Sequence, residues 1–133
     1  MKRLAMLFGC LMLLASPAMA ISEFSKQWKN EYLGGEDVDE DFKRAGRKAG
    51  CYICHVKGED KKKVRNEYGD AIHKYLDAED FPKDYVKANP EEAKKKILEG
   101  FKKAGKLKSE DGKTFAEKIK NNELPATDAG LDD

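Results

Sequence analysis

The sequence has little net charge, little apolar content and no methionine beyond residue 19. Its 133 residues include 26 Lys+Arg and 25 Asp+Glu, which leaves a formal charge of +1, and 40% of them are hydrophobic. A charge this small provides no basic field for a phosphate backbone, so we expect no nucleic-acid partner. The low apolar content makes a core built from protein side chains alone marginal in so short a chain. We therefore expect a bound group to help fill the interior.

The first twenty residues have the three parts of a secretory signal peptide. Lys2 and Arg3 form a basic start, residues 4–15 form an apolar run, and Ala18-Met19-Ala20 ends in the small residues of a cleavage site. The run is too short to span a bilayer comfortably, and no later segment is apolar enough to do so. We expect cleavage after Ala20 and export to the periplasm or an equivalent compartment, without a membrane span. Cys10 is only a weak match to a lipoprotein cysteine.

The periodic segments after residue 20 predict helices, and no stretch of useful length alternates as a strand would. Apolar residues recur at helical spacing over 22–33, 42–49, 62–78, 90–104 and 114–120. Asn89-Pro90-Glu91-Glu92 predicts a capped helix start, and Gly105 predicts a left-handed helix end. We predict one all-α domain of four or five helices over 21–120. A polar, loosely attached tail is expected over 121–133.

One short motif carries the chemistry. Cys51-Tyr52-Ile53-Cys54-His55 is a C-x-x-C-H motif, which in an exported protein is typical of haem c attachment. On the first turns of a helix, residues i, i+3 and i+4 lie on one face. Cys51 and Cys54 can then add to the two vinyl groups of one porphyrin while His55 presents its imidazole to the iron. The motif therefore predicts one covalent haem c within a small helical cytochrome c domain.

Three other interpretations of the motif stay open. A disulfide between Cys51 and Cys54 suits an oxidising compartment, but it closes a very short loop and leaves His55 unexplained. A thioredoxin-type thiol pair needs a buried strand ahead of the motif, and residues 42–50 do not form one. A zinc site needs four ligands, and His73 is the only candidate besides the three motif residues.

The sixth ligand of such an iron is left open by the sequence. Signal cleavage removes every methionine, so the exported chain cannot supply His/Met ligation. His73 is the only other histidine, but it lies outside the apolar stripe of its predicted helix. An exposed His73 is therefore at least as well supported as ligation by it. A five-coordinate iron, or one bound by Lys, Tyr or a partner chain, is the remaining alternative.

Other side chains near the motif indicate packing and charge. Lys57, residues 61–63 and Arg65 form a basic cluster, which is usually a solvated face but can pair with haem propionates or dock an acidic redox partner. Four aromatic residues are expected to pack in the core or against the haem: Trp28, Tyr52, Tyr68 and Tyr75.

Over most of residues 21–133 the chain resembles small monohaem c-type cytochromes of planctomycete bacteria, a group that includes paired gas-binding cytochromes of anammox bacteria. The resemblance is carried by residues 51–58, the lysine run, residues 65–69, residues 111–115 and residues 124–125. It implies that Cys51 and Cys54 attach the haem and that His55 ligates its iron. The gas-binding pair also implies dimerisation and a thiolate axial ligand, for which the exported chain has no spare cysteine.

Together these features predict an exported electron carrier, and not an enzyme. Without a methionine ligand we expect a low potential and a redox partner protein. One alternative is a haem-based binder or sensor of small gases such as NO or CO, with a homo- or heterodimer partner. The other is a thiol-disulfide oxidoreductase without a cofactor.

Overall fold

The computed structural model describes residues 18–61 and 63–131, and this part of the chain is helical without a β-strand. Its six α-helices are α1 Ala18–Tyr32, α2 Glu40–Ala49, α3 Glu67–His73, α4 Lys83–Ala88, α5 Pro90–Gly105 and α6 Phe115–Lys120. Two 3-10 helices span Gly50–Ile53 and Ala78–Asp80. The all-α prediction is confirmed, whereas the predicted number of helices is too low because the six-residue α4 was missed. Within the described residues, no helix is long and apolar enough to cross a membrane.

Helix α5 is the centre of the fold, because it packs against α1, α3, α4 and α6. Its inward face is fully buried at Ala93, Ile97 and Phe101. Burying side chains of this size contributes about 1.5–3 kcal/mol for each Ile or Phe. Gly100 lies on the same helix, and any Cβ there would collide with the side chain of Leu76. The segment after α3 can therefore pack closely on α5.

Helix α3 is much shorter than the predicted segment 62–78. Asn66 is its N-cap, with an extended backbone and a side chain that accepts a hydrogen bond from the Gly69 amide at 2.9 Å. Arg65 is held in an isolated antiparallel bridge with His55, so the chain before Asn66 is extended rather than helical. The prediction of a long helix over 62–78 was wrong at its start, because Asn66 contacts the distant motif and the helix begins only after it.

The ends of α5 and α6 show which capping signals operate. The predicted start at Pro90 is confirmed, but the Asn89 side chain does not cap α5. It donates instead to the Tyr85 carbonyl of α4 at 3.2 Å. Gly105 remains helical without a positive φ, so the predicted left-handed end is wrong. At α6, Thr114 and Glu117 form a reciprocal capping box.

The C-terminal segment is attached to the domain, contrary to the expected loose tail. Pro125 and Ala129 are buried, and the Ala129 carbonyl accepts a hydrogen bond from the Lys57 amide at 2.8 Å. The Thr127 amide and hydroxyl donate to the Glu67 carboxylate at 2.9 and 3.0 Å. A polar composition suggested solvation, but the polar groups here have specific partners on α3.

Candidate functional site

The C-x-x-C-H motif lies in a 3-10 turn directly after α2, and not on the first turns of an α-helix as predicted. Gly50 ends α2 with φ +52°, a backbone conformation that L side chains rarely adopt. The amides of Cys54 and His55 then donate to the Cys51 carbonyl at 3.3 and 3.1 Å. One turn of chain thus brings the two cysteines and the histidine together. Both thiols are free, with Cys51 exposed and Cys54 partly buried.

The His55 ring is buried and has a defined orientation. Its Nδ1 lies 3.0 Å from the Val64 carbonyl oxygen, and His55 is 9% exposed. Because a carbonyl oxygen only accepts hydrogen bonds, Nδ1 carries the proton and Nε2 keeps its lone pair. A backbone carbonyl on one ring nitrogen is the usual support for a histidine that binds a metal through the other.

Asn66 holds the motif in place from the start of α3. Its side chain is completely buried, and its Nδ2 donates to the carbonyl oxygens of Tyr52, Ile53 and His55 at 3.0, 3.0 and 3.3 Å. Its own amide donates to the Cys54 carbonyl at 2.9 Å. Sequence reasoning missed this residue, although an asparagine just before a helical segment is a capping signal.

Gly69 lets α3 lie directly on the motif. A Cβ at this position would collide with the Cys54 carbonyl oxygen and would press on the side chain of Arg65. The requirement for glycine comes from this close approach of backbone to backbone, since Gly69 has no positive φ. Together with Asn66, it makes the N-terminal end of α3 the support on which the motif rests.

The burial of the Cys54 thiol does not favour a reactive thiolate at that residue. Burial raises the pKa of the Cys54 thiol to about 12, with a smaller contribution from the neighbouring Cys51. Redox-active cysteines instead have a lowered pKa, commonly at a helix N-terminus. The described residues also lack the strand that a thioredoxin-type pair needs.

His73, the candidate sixth ligand, lies apart from the motif. It is the last residue of α3 and is exposed, whereas the motif contacts the opposite end of that helix. The seven residues of α3 span about 10 Å along the axis. Among the described residues, no group of three or more His, Cys, Asp or Glu side chains is arranged to hold a metal ion. A zinc site built from the motif and His73 therefore has no support in the described part of the chain.

Two cavities lie away from the motif. One, of about 450 Å³, lies between α6 and the C-terminal segment, beside Lys118 and Leu131. Another, of about 490 Å³, lies beside α5 and is lined by Tyr75, Phe81 and Tyr85. Tyr75 is 43% exposed and is therefore not a core residue, whereas Trp28 and Tyr68 are buried in the core, one of the two places expected for them. Neither cavity is lined by a motif residue.

The donor set of the motif fits a covalently bound haem. Two unpaired thiols are available for thioether bonds, and one imidazole nitrogen is available for iron. Comparison with known proteins gives no family, because no family model, no curated protein and no solved structure matches the chain. The haem assignment therefore depends on the motif and on the contacts that hold it.

Proposed function

We propose that the protein is an exported monohaem c-type cytochrome that carries electrons without methionine ligation. The observation that carries this proposal is the geometry of His55. Its Nδ1 is hydrogen-bonded to the Val64 carbonyl, and its backbone belongs to the same turn as the two free thiols of Cys51 and Cys54. A disulfide or thiol redox pair would need no oriented imidazole beside it. A haem attachment site needs all three groups together.

The two cysteines and the histidine of the motif each have a role in this proposal, and two residues outside the motif support them. The Cys51 and Cys54 thiols would hold the haem by adding across its two vinyl groups, each giving its sulfur to one carbon and its hydrogen to the other, so that nothing is lost. His55 would ligate the iron through Nε2, while the Val64 carbonyl holds the ring by its hydrogen bond to Nδ1. Asn66 fixes the backbone on both sides of Cys54. When bound, haem supplies a one-electron iron couple, and a rigid ligand frame keeps the rearrangement that accompanies electron transfer small.

Export and low potential follow from the sequence. The signal peptide over 1–20 has its basic and apolar parts outside the described residues, and α1 begins at Ala18, just before the proposed cleavage site. Cleavage there leaves a chain without methionine, so the axial ligand that raises the potential of many cytochromes c is absent. We expect a redox partner protein in the same extracytoplasmic compartment.

A second function, reversible binding of NO or CO, is favoured by one observation. The only histidine beyond the motif, His73, lies exposed at the end of α3 opposite the end that contacts the motif. Neither histidine nor methionine, the two commonest protein ligands for a second axial position, is therefore available beside His55 in the exported chain. A Lys or Tyr of this chain, a dimer partner or a small gas would be the remaining sources of that ligand.

The test is expression in a bacterial host that has a cytochrome c maturation system, followed by acid-acetone extraction and a pyridine haemochrome spectrum. We expect the wild-type chain to retain haem through the extraction. Cys51→Ala and Cys54→Ala each remove one thioether and shift the reduced α-band, and the double variant loses the haem. His73→Ala is the matched control and should retain its haem.

Two outcomes of this test separate the proposals. A wild-type chain that gives up all its haem to acid-acetone would refute covalent attachment. With attachment established, rapid CO uptake by the reduced protein would favour the gas binder, and low-spin iron that takes up no CO would favour the electron carrier.

A further inference from the structure

The segment that follows the motif is a closed loop. His55 and Arg65 pair in an isolated antiparallel bridge, and His55 Nδ1 also meets the Val64 carbonyl at 3.0 Å. Both ends of residues 56–64 are therefore held at the histidine that we propose as the iron ligand. We call the described residues of this segment, 56–61 and 63–65, the basic loop.

The backbone of the basic loop is fixed by hydrogen bonds rather than free in solvent. Inside it, the amide of Val64 donates to the Asp60 carbonyl at 2.8 Å, and the amide of Glu59 donates to the Val56 carbonyl at 3.2 Å. From outside, the Lys57 amide donates to the Ala129 carbonyl at 2.8 Å. The backbone that carries these charges is therefore held in place, which lowers the entropy lost when a partner binds.

The basic loop presents cations that have no ion-pair partner among the described residues. Four are exposed: Lys57, Lys61, Lys63 and Arg65. The loop also contains Glu59 and Asp60, so the four described cations exceed its acidic residues by two. By contrast, removal of Lys2 and Arg3 with the signal leaves 24 Lys+Arg against 25 Asp+Glu in the exported chain. The basic loop is therefore more positive than the exported chain taken as a whole.

One of these lysines lies directly over the motif. The Lys61 ammonium is 5.1 Å from the centre of the Tyr52 ring, and Tyr52 lies between the two cysteines in sequence. A cation at this distance from an aromatic face is attracted by about 0.5–1 kcal/mol at an exposed site. The contact joins the outer part of the basic loop to the thiol-bearing turn, so a protein that docks on the loop also covers the turn.

We infer that the basic loop is the docking surface for an acidic redox protein that exchanges one electron at the motif. This inference rests on the proposed cytochrome function. A protein partner is favoured over an anionic membrane, because membrane-surface binding also needs exposed apolar side chains. The one exposed large hydrophobic residue in the described part of the chain is Tyr75, which is not on the basic loop. Complementary charge would orient the partner over the turn and speed their encounter.

The experiment uses the haem-loaded, exported protein and reduced flavodoxin, a small acidic flavoprotein, as the probe. In each encounter flavodoxin loses one electron and the bound haem gains it, and the rate is followed by stopped flow. The test variant is the triple substitution K57E, K61E and K63E. The matched control, K94E, K95E and K102E, makes the same change of net charge at exposed positions on α5.

At about 20 mM ionic strength we expect the loop variant to react roughly tenfold more slowly than the α5 control. At about 500 mM, where charges are screened within a few ångströms, the two rates should converge. Equal rates for the two variants at low salt would overturn the inference while leaving the cytochrome function intact. A chain that acquires no haem would instead overturn the proposed function, and with it this inference.

A membrane role is separated by sedimentation with vesicles of phosphatidylcholine and phosphatidylserine. We expect no more vesicle binding by wild type than by the loop variant. Vesicle binding that is lost in the loop variant, together with equal flavodoxin rates for the two variants, would assign the loop to a lipid surface and overturn the docking of a protein.

Discussion

The Nδ1 atom of His55, the residue just before the basic loop, lies 3.0 Å from the carbonyl oxygen of Val64, near the end of that loop. Their hydrogen bond fixes the tautomer of His55, and the bridge between His55 and Arg65 runs beside it. The side chain that we propose as iron ligand and the loop that we propose as docking surface therefore share one anchor. A change in either one is expected to affect the other.

Asn66→Ala tests whether Asn66 is the main support of the motif. The substitution removes three donated hydrogen bonds, leaves buried carbonyl groups without partners and deletes the N-cap of α3. We expect a loss of about 2–4 kcal/mol in the free energy of unfolding, measured by denaturant titration. Asn89→Ala is the matched control. That exposed side chain does not cap α5, and the Tyr85 carbonyl to which it donates keeps its hydrogen bond from the Asn89 amide, so the change in stability should be less than about 0.5 kcal/mol. Similar losses in the two variants would contradict the role of Asn66.

Gly69→Ala tests the close contact between α3 and the motif. The added methyl group meets the Cys54 carbonyl oxygen, which is backbone and cannot move aside. We expect a destabilisation of about 1–3 kcal/mol, the usual cost of overpacking, together with a lower yield of attached haem. Gly35→Ala meets only the tip of the Val38 side chain and serves as the control. The prediction fails if the two variants have the same thermal midpoint.

Tyr68→Phe tests a buried hydrogen bond in the core beside the motif. The Trp28 indole donates to the Tyr68 hydroxyl at 2.9 Å, and the substitution leaves that donor buried and unpaired. We expect a loss of about 1–3 kcal/mol at neutral pH. Burial raises the pKa of Tyr68 well above 10.0, so its contribution to stability is full below pH 10 and falls above that value as the unfolded chain ionises.

The pH dependence of stability above pH 10 gives a second test of this prediction. Wild type should lose stability more steeply above pH 10 than Tyr68→Phe does, because the variant lacks one group that ionises only in the unfolded chain. Tyr32→Phe is the comparison, since burial also raises the pKa of Tyr32, to about 12. An alkaline slope unchanged by Tyr68→Phe would contradict the burial of the hydroxyl.

Glu67→Gln tests the attachment of the C-terminal segment. Burial alone would raise the pKa of Glu67, but hydrogen bonds from Ser109, Thr127 and Glu110 outweigh it and hold the pKa below 4.5. The carboxylate therefore contributes stability above pH 4.5, and this contribution is lost as the pH falls through its lowered pKa. In the variant we expect faster hydrogen exchange at the Thr127 and Lys57 amides at neutral pH. Glu99→Gln, at an exposed position on α5, should leave both rates unchanged, and equal protection in the two variants would contradict this account.

The parts of the fold that were predicted correctly depend on short-range patterns. The helical spacing and Pro90 locate α5, and the spacing over 114–120 locates α6 within one residue. The parts that were missed depend on contacts between distant residues. Asn66 stops α3 because carbonyl groups more than ten residues away accept its hydrogen bonds, and Glu67 holds a tail sixty residues further on. Local periodicity contains no information about such partners.

The candidate site likewise has a part that the sequence predicts and a part that depends on distant contacts. Cys51, Cys54 and His55 are contiguous, so their spacing alone identifies them. Their supports come from the far side of the basic loop, and nothing in the motif indicates them. His73 was a candidate only because histidines are few, and the end of α3 leaves it exposed.

The most direct test of the central claim is mass spectrometry of the tryptic peptide that contains Cys51 and Cys54, prepared from exported protein that has been treated with iodoacetamide. The account predicts a peptide heavier by one haem, without carbamidomethyl groups, that absorbs in the Soret region. A peptide without haem that carries a carbamidomethyl group on both cysteines would contradict it.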